Sequence, residues 1–217
     1  MTTVIIPTRH RPGMLIRCLD SLFAAAQVPD ATMVMVDDDP DTVSALPEYK
    51  SVNIVASDEN IGFFQSLNRA FKIAQLPEGE PFCYFGKDVL FHEHWLEEAE
   101  HCFSLQFQDG LGLLTFKDDI QDGGNASHGM TTRRWLKVVY GEPFFPRGYF
   151  HHFCDTELTL RSKDLGRFWY CPSSYVPHHH EPTGRTDKSP DDEGLKNQRH
   201  LEWNSGGLQE AKHRLGA

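Results

Sequence analysis

The sequence predicts an α/β fold in which a mostly parallel central sheet is flanked by helices, with a small mixed or antiparallel C-terminal part. Three observations predict it. Short continuous apolar runs, such as Thr3 to Pro7 (TVIIP) and the VMV of Val34 to Val36, end in polar or turn-forming residues, as strands buried on both faces do. Between them lie longer segments whose apolar residues recur at helical spacing. After Phe116 the alternation stops, and a stretch rich in Gly, Asn and Asp (IQDGGNASHG) leads into shorter elements.

The first strand is the β-branched run Thr3 to Pro7, and Thr8, Arg9 and Arg11 supply a hydroxyl and two guanidinium groups at its exit. Pro12 suits a first helical turn, and Leu15, Cys18, Leu19, Leu22, Phe23 and Ala26 continue that helix. Thr32 to Val36 is the second strand and Val52 to Ala56 the third, with Ser57 to Asn60 as loop and cap. Ile61 to Gln75 carries Phe64, Leu67, Phe71 and Ala74 on one helical face. A fourth strand, Phe82 to Phe85, opens onto Gly86, Lys87 and Asp88; His94 to Phe107 is the third helix and Leu111 to Phe116 the fifth strand.

Lys117 to Thr132 has no periodicity and reads as a loop able to act as a lid. Leu136 to Tyr140 and Phe168 to Cys171 read as short strands of a mixed edge, and Tyr149 to Lys163 between them as a helix bearing Asp155 and Glu157. From Thr186 onward the chain is polar, with one amphipathic piece at Leu208 to Leu215. The expectation is therefore one domain over residues 1–185 and a peripheral tail over 186–217.

With 217 residues, 39% hydrophobic and 24% charged, the chain has the makeup of a soluble globular domain large enough to bury a core. A net charge of -10 argues against a broad grip on a phosphate backbone. The five cysteines are scattered without a CxxC spacing, which suits reduced, buried thiols. The chain enters its first strand directly, and no apolar run approaches the ~18 residues of a membrane span. A cytoplasmic location is the expectation.

Three adjacent carboxylates, Asp37, Asp38 and Asp39, follow the second strand. In open α/β sheets ligands collect beyond the carboxyl ends of the strands, and three acids there need solvent or a partner such as a base N–H, a sugar hydroxyl or a cation. An Asp-rich turn that caps the next segment is the alternative for each of them.

TVIIPTRHRP, VMVDDDP, NIGFFQSLNRAF and YFGKDVLFHEHWLEE resemble, in order, the signatures of family 2 glycosyltransferases of the GT-A fold. Those enzymes are inverting and use nucleotide sugars. The resemblance covers roughly residues 2–116 and continues more weakly through CDTELTLRSKDLG to VPHHHEP. It implies a nucleotide-sugar-binding half over 1–116 and an acceptor and catalytic half over 117–185. Pro7, Thr8, Arg9 and Arg11 match the cradle for base and ribose, and Asp38, between Asp37 and Asp39, matches the acid that reads the base edge, pointing to a UDP-sugar. Asn60, Gly62, Asn68 and Arg69 match the segment that closes over the nucleotide, with Arg69 able to pair with phosphate or with Asp38.

Asp88 matches the last acid of the family's metal-binding Asp-x-Asp, which implies Mn2+ or Mg2+ on the diphosphate. Here the first acid is Gly86, and Lys87 stands between, offering a fixed positive charge. A late histidine would complete the set. On a strand His178 and His180 share a face and His179 opposes them, with His178 preferred because Tyr175 and Val176 lead into it. Asp155 matches the general base, with Glu157 as its alternative; a spacing of two puts them on different helical faces. The acceptor is a glycan, a small molecule or another hydroxyl. DNA is the weaker candidate given the acidic balance, kept by Arg133, Arg134 and Lys137 beside Trp135. Two other functions fit the motifs: a nucleotide-sugar or glycan binding module without catalysis, and a sugar nucleotidyltransferase. The second is disfavoured because no glycine-rich phosphate loop with a following lysine appears after the first strand.

Overall fold

The apolar runs pair as the pattern requires, in a computed structural model that describes residues 1–150, 152–179 and 190–216. Strands β1 (Thr3–Thr8), β2 (Ala31–Asp37), β3 (Val52–Ser57), β4 (Pro81–Tyr84), β5 (Leu113–Lys117), β6 (Gly129–Thr132) and β7 (Phe168–Tyr175) form one sheet in the order β3-β2-β1-β4-β6-β5-β7. Pairings β1 with β2, β2 with β3, β1 with β4 and β5 with β7 are parallel. Only β6 runs against its neighbours β4 and β5.

Alternation along β1 builds a core on each face. Val4 and Ile6 pack with Leu15, Leu19 and Trp95, under helices α1 (Pro12–Ala24) and α4 (Trp95–Gln106). Ile5, between them, packs with Phe64, Leu67 and Leu158, under α3 (Phe63–Ile73), α5 (Arg133–Tyr140) and α6 (Cys154–Asp164). Burying side chains on both faces of one strand is why its sequence reads as a continuous apolar run. A short helix, α2 (Pro40–Ala45), follows β2 and was not foreseen. No described helix is long and apolar enough to cross a membrane, and the five cysteines are free thiols.

Three expectations need correction. Leu136 to Tyr140 is part of helix α5, and the β-branched pair Val138 and Val139 was misleading: Trp135, Leu136, Val138 and Val139 are buried at helical spacing, and Thr132 Oγ1 caps the helix by accepting from Trp135 N at 3.1 Å. The supposed loop over Lys117 to Thr132 ends in the buried strand β6, whose four residues are too few to show a period. Helix α6 begins at Cys154, several residues after Tyr149, because Phe153 takes a left-handed φ of 69°.

The stretch expected as a peripheral tail carries α7 (Pro190–Glu202) and α8 (Leu208–Gly216), joined by a kink over Trp203–Gly207 in which Gly206 leaves the helical conformation. Trp203 is 2% exposed, and its indole N–H donates to Asp164 at 2.9 Å. Arg161 lies over the Trp203 ring at 4.5 Å, and Arg214 donates to the Val138 carbonyl at 2.8 Å. A few apolar side chains, Leu195, Trp203, Ala211 and Leu215, set among polar ones dock the segment, with the Arg199–Glu157 ion pair beside them.

Candidate functional site

Strand direction brings the chemistry to one rim. Six strands run parallel, so their carboxyl ends share an edge, and antiparallel β6 begins there. That edge collects Thr8 to Arg11, Asp37 to Asp39, Asn60 to Gly62, Gly86 to Asp88, the turn at 125–128 that enters β6, and His178 beyond β7. Strand β1 has β2 on one side and β4 on the other, so the chain reverses its direction of growth there and opens the crevice where open α/β sheets bind ligands.

Lys87 and Arg9 bridge this crevice. Lys87 Nζ donates to the Arg9 carbonyl, and the Arg9 guanidinium pairs with Asp38 Oδ2 at 2.8 Å. Burial, aided by the nearby Arg11 charge, pulls the Lys87 ammonium down to about 8. Pro7 and Thr8 are buried at the exit of β1. His10, Arg11 and Asp38 all hold left-handed φ angles, of 61°, 56° and 46°. Such angles cost roughly 1 kcal/mol each in non-glycine residues and gather where a rim is held in one shape.

The three aspartates divide. Asp38 is half-exposed and bonded to Arg9. Asp39 is the cap anticipated as the alternative: its side chain accepts from Thr42 N at 3.1 Å, opening α2, and from His10 N. Although burial opposes it, those bonds lower the Asp39 carboxyl. Asp37 is buried and faces inward, where Oδ2 accepts from Ser66 Oγ at 2.7 Å and Ile61 N at 3.3 Å; burial outweighs these bonds and raises its carboxyl. It clamps the start of α3 to the end of β2.

Of the segment expected to close over the nucleotide, two residues are spent on packing. Asn68 accepts from Phe145 N and donates to the Phe145 carbonyl, each at 2.9 Å, and is 8% exposed. Gly62, at φ 84°, presses against backbone: a Cβ there would lie 2.0 Å from the Phe150 carbonyl oxygen. Asn60 Oδ1 accepts from Gly62 N at 3.2 Å. Arg69 is half-buried on α3, and its charge bears on Asp37.

At the other end of the crevice Asp88 Oδ2 stands 3.3 Å from His178 Nε2. Burial works against ionising Asp88, but the His178 hydrogen bond and the charges of His178 and His128 hold its carboxyl well below the usual range. The backbone fixes the pairing: His178 N donates to the Asp118 carbonyl at 3.0 Å, and His179 N to the Asp88 carbonyl at 2.7 Å. Donor atoms of Asp88, His128 and His178 lie within 4.8 Å of one another, a carboxylate and two imidazoles that suit a divalent cation. His180 lies outside the described residues. His128, in the stretch SHG, was missed because nothing local marks it; only the antiparallel return of β6 brings it to the rim.

Asp155 sits half-buried in the first turn of α6, and Oδ2 accepts from Asn125 Nδ2 at 2.6 Å. Burial raises its carboxyl, against the opposing pull of Asn125. Glu157, the alternative base, is 5% exposed and committed elsewhere: it accepts from the Tyr149 hydroxyl and pairs with Arg161 at 2.7 Å and Arg199 at 2.8 Å. It joins α6 to α7. Arg133, part of the strip kept for DNA, is spent on carbonyls of Leu76 and Pro143 and on the ring of Phe144. A separate cleft of about 390 Å³, lined by Phe107, Lys163, Arg167 and Trp169, opens near the start of β7, at the opposite rim from Asp38, Asp88 and His178.

Residues 3–102 match the family model for glycosyl transferase family 2. No curated protein matches the chain. Among solved structures, the crystal structure of S. aureus TarS 1–349 superposes with a TM-score of 0.60 at 15% identity, over 82% of this chain and 60% of that one. The likeness shows the same fold, and this chain spans less than two thirds of the length of that structure.

Proposed function

Since residues 3–102 match the family 2 glycosyltransferase model, we propose that the chain is a glycosyltransferase that moves a sugar from a UDP-sugar to an acceptor hydroxyl with inversion. The observation that supports this reading best is the convergence on one rim of a half-exposed acid (Asp38), a bridging lysine (Lys87), an ionised Asp88 and a half-buried Asp155.

On this reading Asp38 accepts the imide N–H of uracil, a contact that discriminates strongly because a mismatched base leaves the carboxylate unpaired. Lys87 presents its ammonium to the diphosphate across the crevice between β1 and β4. Asp155 takes the acceptor O–H proton as that oxygen bonds to the anomeric carbon and the bond from that carbon to the β-phosphate oxygen breaks on the opposite face. Burial suits Asp155 to the task, since a raised carboxyl is a stronger base once ionised. A divalent cation held by Asp88 and His178 would neutralise the departing diphosphate. Asn125 holds the Asp155 carboxylate in place. A glycan, a small molecule or another hydroxyl would serve as acceptor, with DNA the weaker candidate, and the cytoplasm is the proposed location.

The test is a panel of UDP-, GDP- and dTDP-sugars incubated with the protein and Mn2+, with release of nucleoside diphosphate as readout. Turnover of a UDP-sugar that is lost in Asp155→Asn supports the proposal. Tight donor binding without release in the presence of varied acceptors would favour a binding module, the reading that the missing first acid at Gly86 motivates. Pyrophosphate release from a nucleoside triphosphate and a sugar phosphate would favour a nucleotidyltransferase.

A further inference from the structure

We propose that His128 is the third protein ligand of a divalent transition-metal site completed by Asp88 and His178, and that this site binds Mn2+ in preference to Mg2+. The three residues come from three separate elements at the rim: the exit of β4, the turn into β6 and the exit of β7.

Gly86 explains the arrangement. A Cβ at that position would lie 2.5 Å from Asp88 Oδ1 and 3.4 Å from His128 Nε2. The room a side chain at residue 86 would need is taken by the Asp88 carboxylate and the His128 imidazole. A carboxylate absent from one strand exit is thus replaced by an imidazole arriving from another.

His128 is built in, not draped over the surface. It is 5% exposed, its ring stacks on Phe85 at 5.8 Å and meets the His178 ring edge-on at 4.6 Å, and its buried Nδ1 has no hydrogen-bond partner among the described residues. Its turn is pinned from beneath. The Tyr84 hydroxyl donates to the Ala126 carbonyl at 2.8 Å, Ala126 N to Thr159 Oγ1 at 3.0 Å, and Thr115 Oγ1 to the His128 carbonyl at 3.2 Å. A buried imidazole held this firmly beside a carboxylate and a second imidazole offers, with them, the nitrogen and oxygen donors that a divalent transition metal takes. Ligands about 2.1 Å from one ion stand roughly 3 to 3.5 Å apart, a spacing that Asp88 and His178 already have, so a small rotation of side chains closes the set.

Ligand chemistry then selects the ion. Mg2+ takes oxygen ligands and keeps its waters, whereas two imidazoles and one carboxylate suit Mn2+, Co2+ and Zn2+. The purpose of the ion rests on the glycosyl-transfer reading, but its binding can be measured without any sugar nucleotide.

The experiment titrates chelator-stripped protein with Mn2+, following free Mn2+ by electron paramagnetic resonance, and repeats the titration with competing Mg2+. Expected are binding at one site, no displacement by an equal concentration of Mg2+, and affinity at least about tenfold lower in His128→Ala and His128→Gln. Proton spectra of the Co2+-loaded wild type supply a measurement that needs no variant: two exchangeable, hyperfine-shifted imidazole N–H signals are expected. A single such signal, folded His128 variants that bind Mn2+ as tightly as the wild type, no binding at all, or ready displacement by Mg2+ would overturn the proposal. Donor turnover by a protein that binds no Mn2+ in this titration would leave the glycosyl-transfer reading standing while this one fell.

Discussion

Asn125 Nδ2 donates to Asp155 Oδ2 at 2.6 Å, and three residues later the same turn delivers His128 to Asp88 and His178. One short segment before β6 thus touches both the proposed base and the proposed cation site. Pinned by Tyr84, Thr115 and Thr159, it fixes their relative positions through backbone.

Replacing Asp155 by Asn should separate function from stability. Transfer should fall by at least ~10²-fold, the contribution expected of a general base. The melting temperature at pH 7 should stay level or rise. Burial raises the folded carboxyl above its unfolded value, so the folded chain binds the proton more tightly, and stability falls as pH climbs between the two values. Removing the charge relieves that cost at neutral pH, and the benefit should vanish on acidification below the ordinary carboxylate range. A sharply lower melting temperature at pH 7 would contradict this account of the site.

Asn125→Ala should act through Asp155. The lost donor had stabilised the carboxylate form, so the Asp155 carboxyl should rise further and the acid limb of the kcat/KM profile should move to higher pH. Asn125→Asp adds a like charge beside Asp155 and should move the limb in the same direction. A profile unchanged in both variants would show that Asn125 does not set the protonation of the base.

Glu157 should behave in the opposite way to Asp155. Glu157→Ala leaves Arg161 and Arg199 without their shared carboxylate in a buried setting, and breaking such a pair costs about 3 to 5 kcal/mol. The denaturation midpoint should drop with little change in slope, while transfer persists under conditions where the protein stays folded. Loss of transfer without loss of stability would return Glu157 to the base role.

How much of this was legible in the sequence follows from the range of the interactions. Strands β1, β2 and β4 and the charged residues at their exits were readable because each is a local run ending in a local cluster, and the direction of a parallel sheet then puts those clusters on one rim. The helix that bears Asp155 was readable from its spacing, and the role proposed for that residue comes from the resemblance. Hidden were the contacts that depend on return paths. His128 reaches Asp88 only because β6 runs antiparallel between β4 and β5, and Glu157 finds Arg199 across 42 residues of chain. Asn68 was expected at the nucleotide through the resemblance, but its two bonds to the Phe145 backbone satisfy its amide from within the protein.

Two glycines give the last test, because their surroundings differ so sharply. At Gly62 an added methyl would fall 2.0 Å from the Phe150 carbonyl oxygen, and φ is 84°, so Gly62→Ala must both strain its own backbone and push the 149–150 segment away from α3. The expected cost is about 1 to 3 kcal/mol. Donor affinity should weaken as well, since Asn60 and Ile61 border the crevice and move with Gly62. At Gly13, near the start of α1, nothing lies within 4 Å of an added Cβ. Gly13→Ala should therefore stabilise by about 0.5 kcal/mol through reduced freedom of the unfolded chain. Thermal unfolding of the two variants beside the wild type, with donor affinity measured by calorimetry, checks both signs at once. If Gly62→Ala melted with the wild type, the approach of the Phe150 carbonyl could not be what demands glycine there, and the rim beside Asn60 would have to be held by something other than that contact.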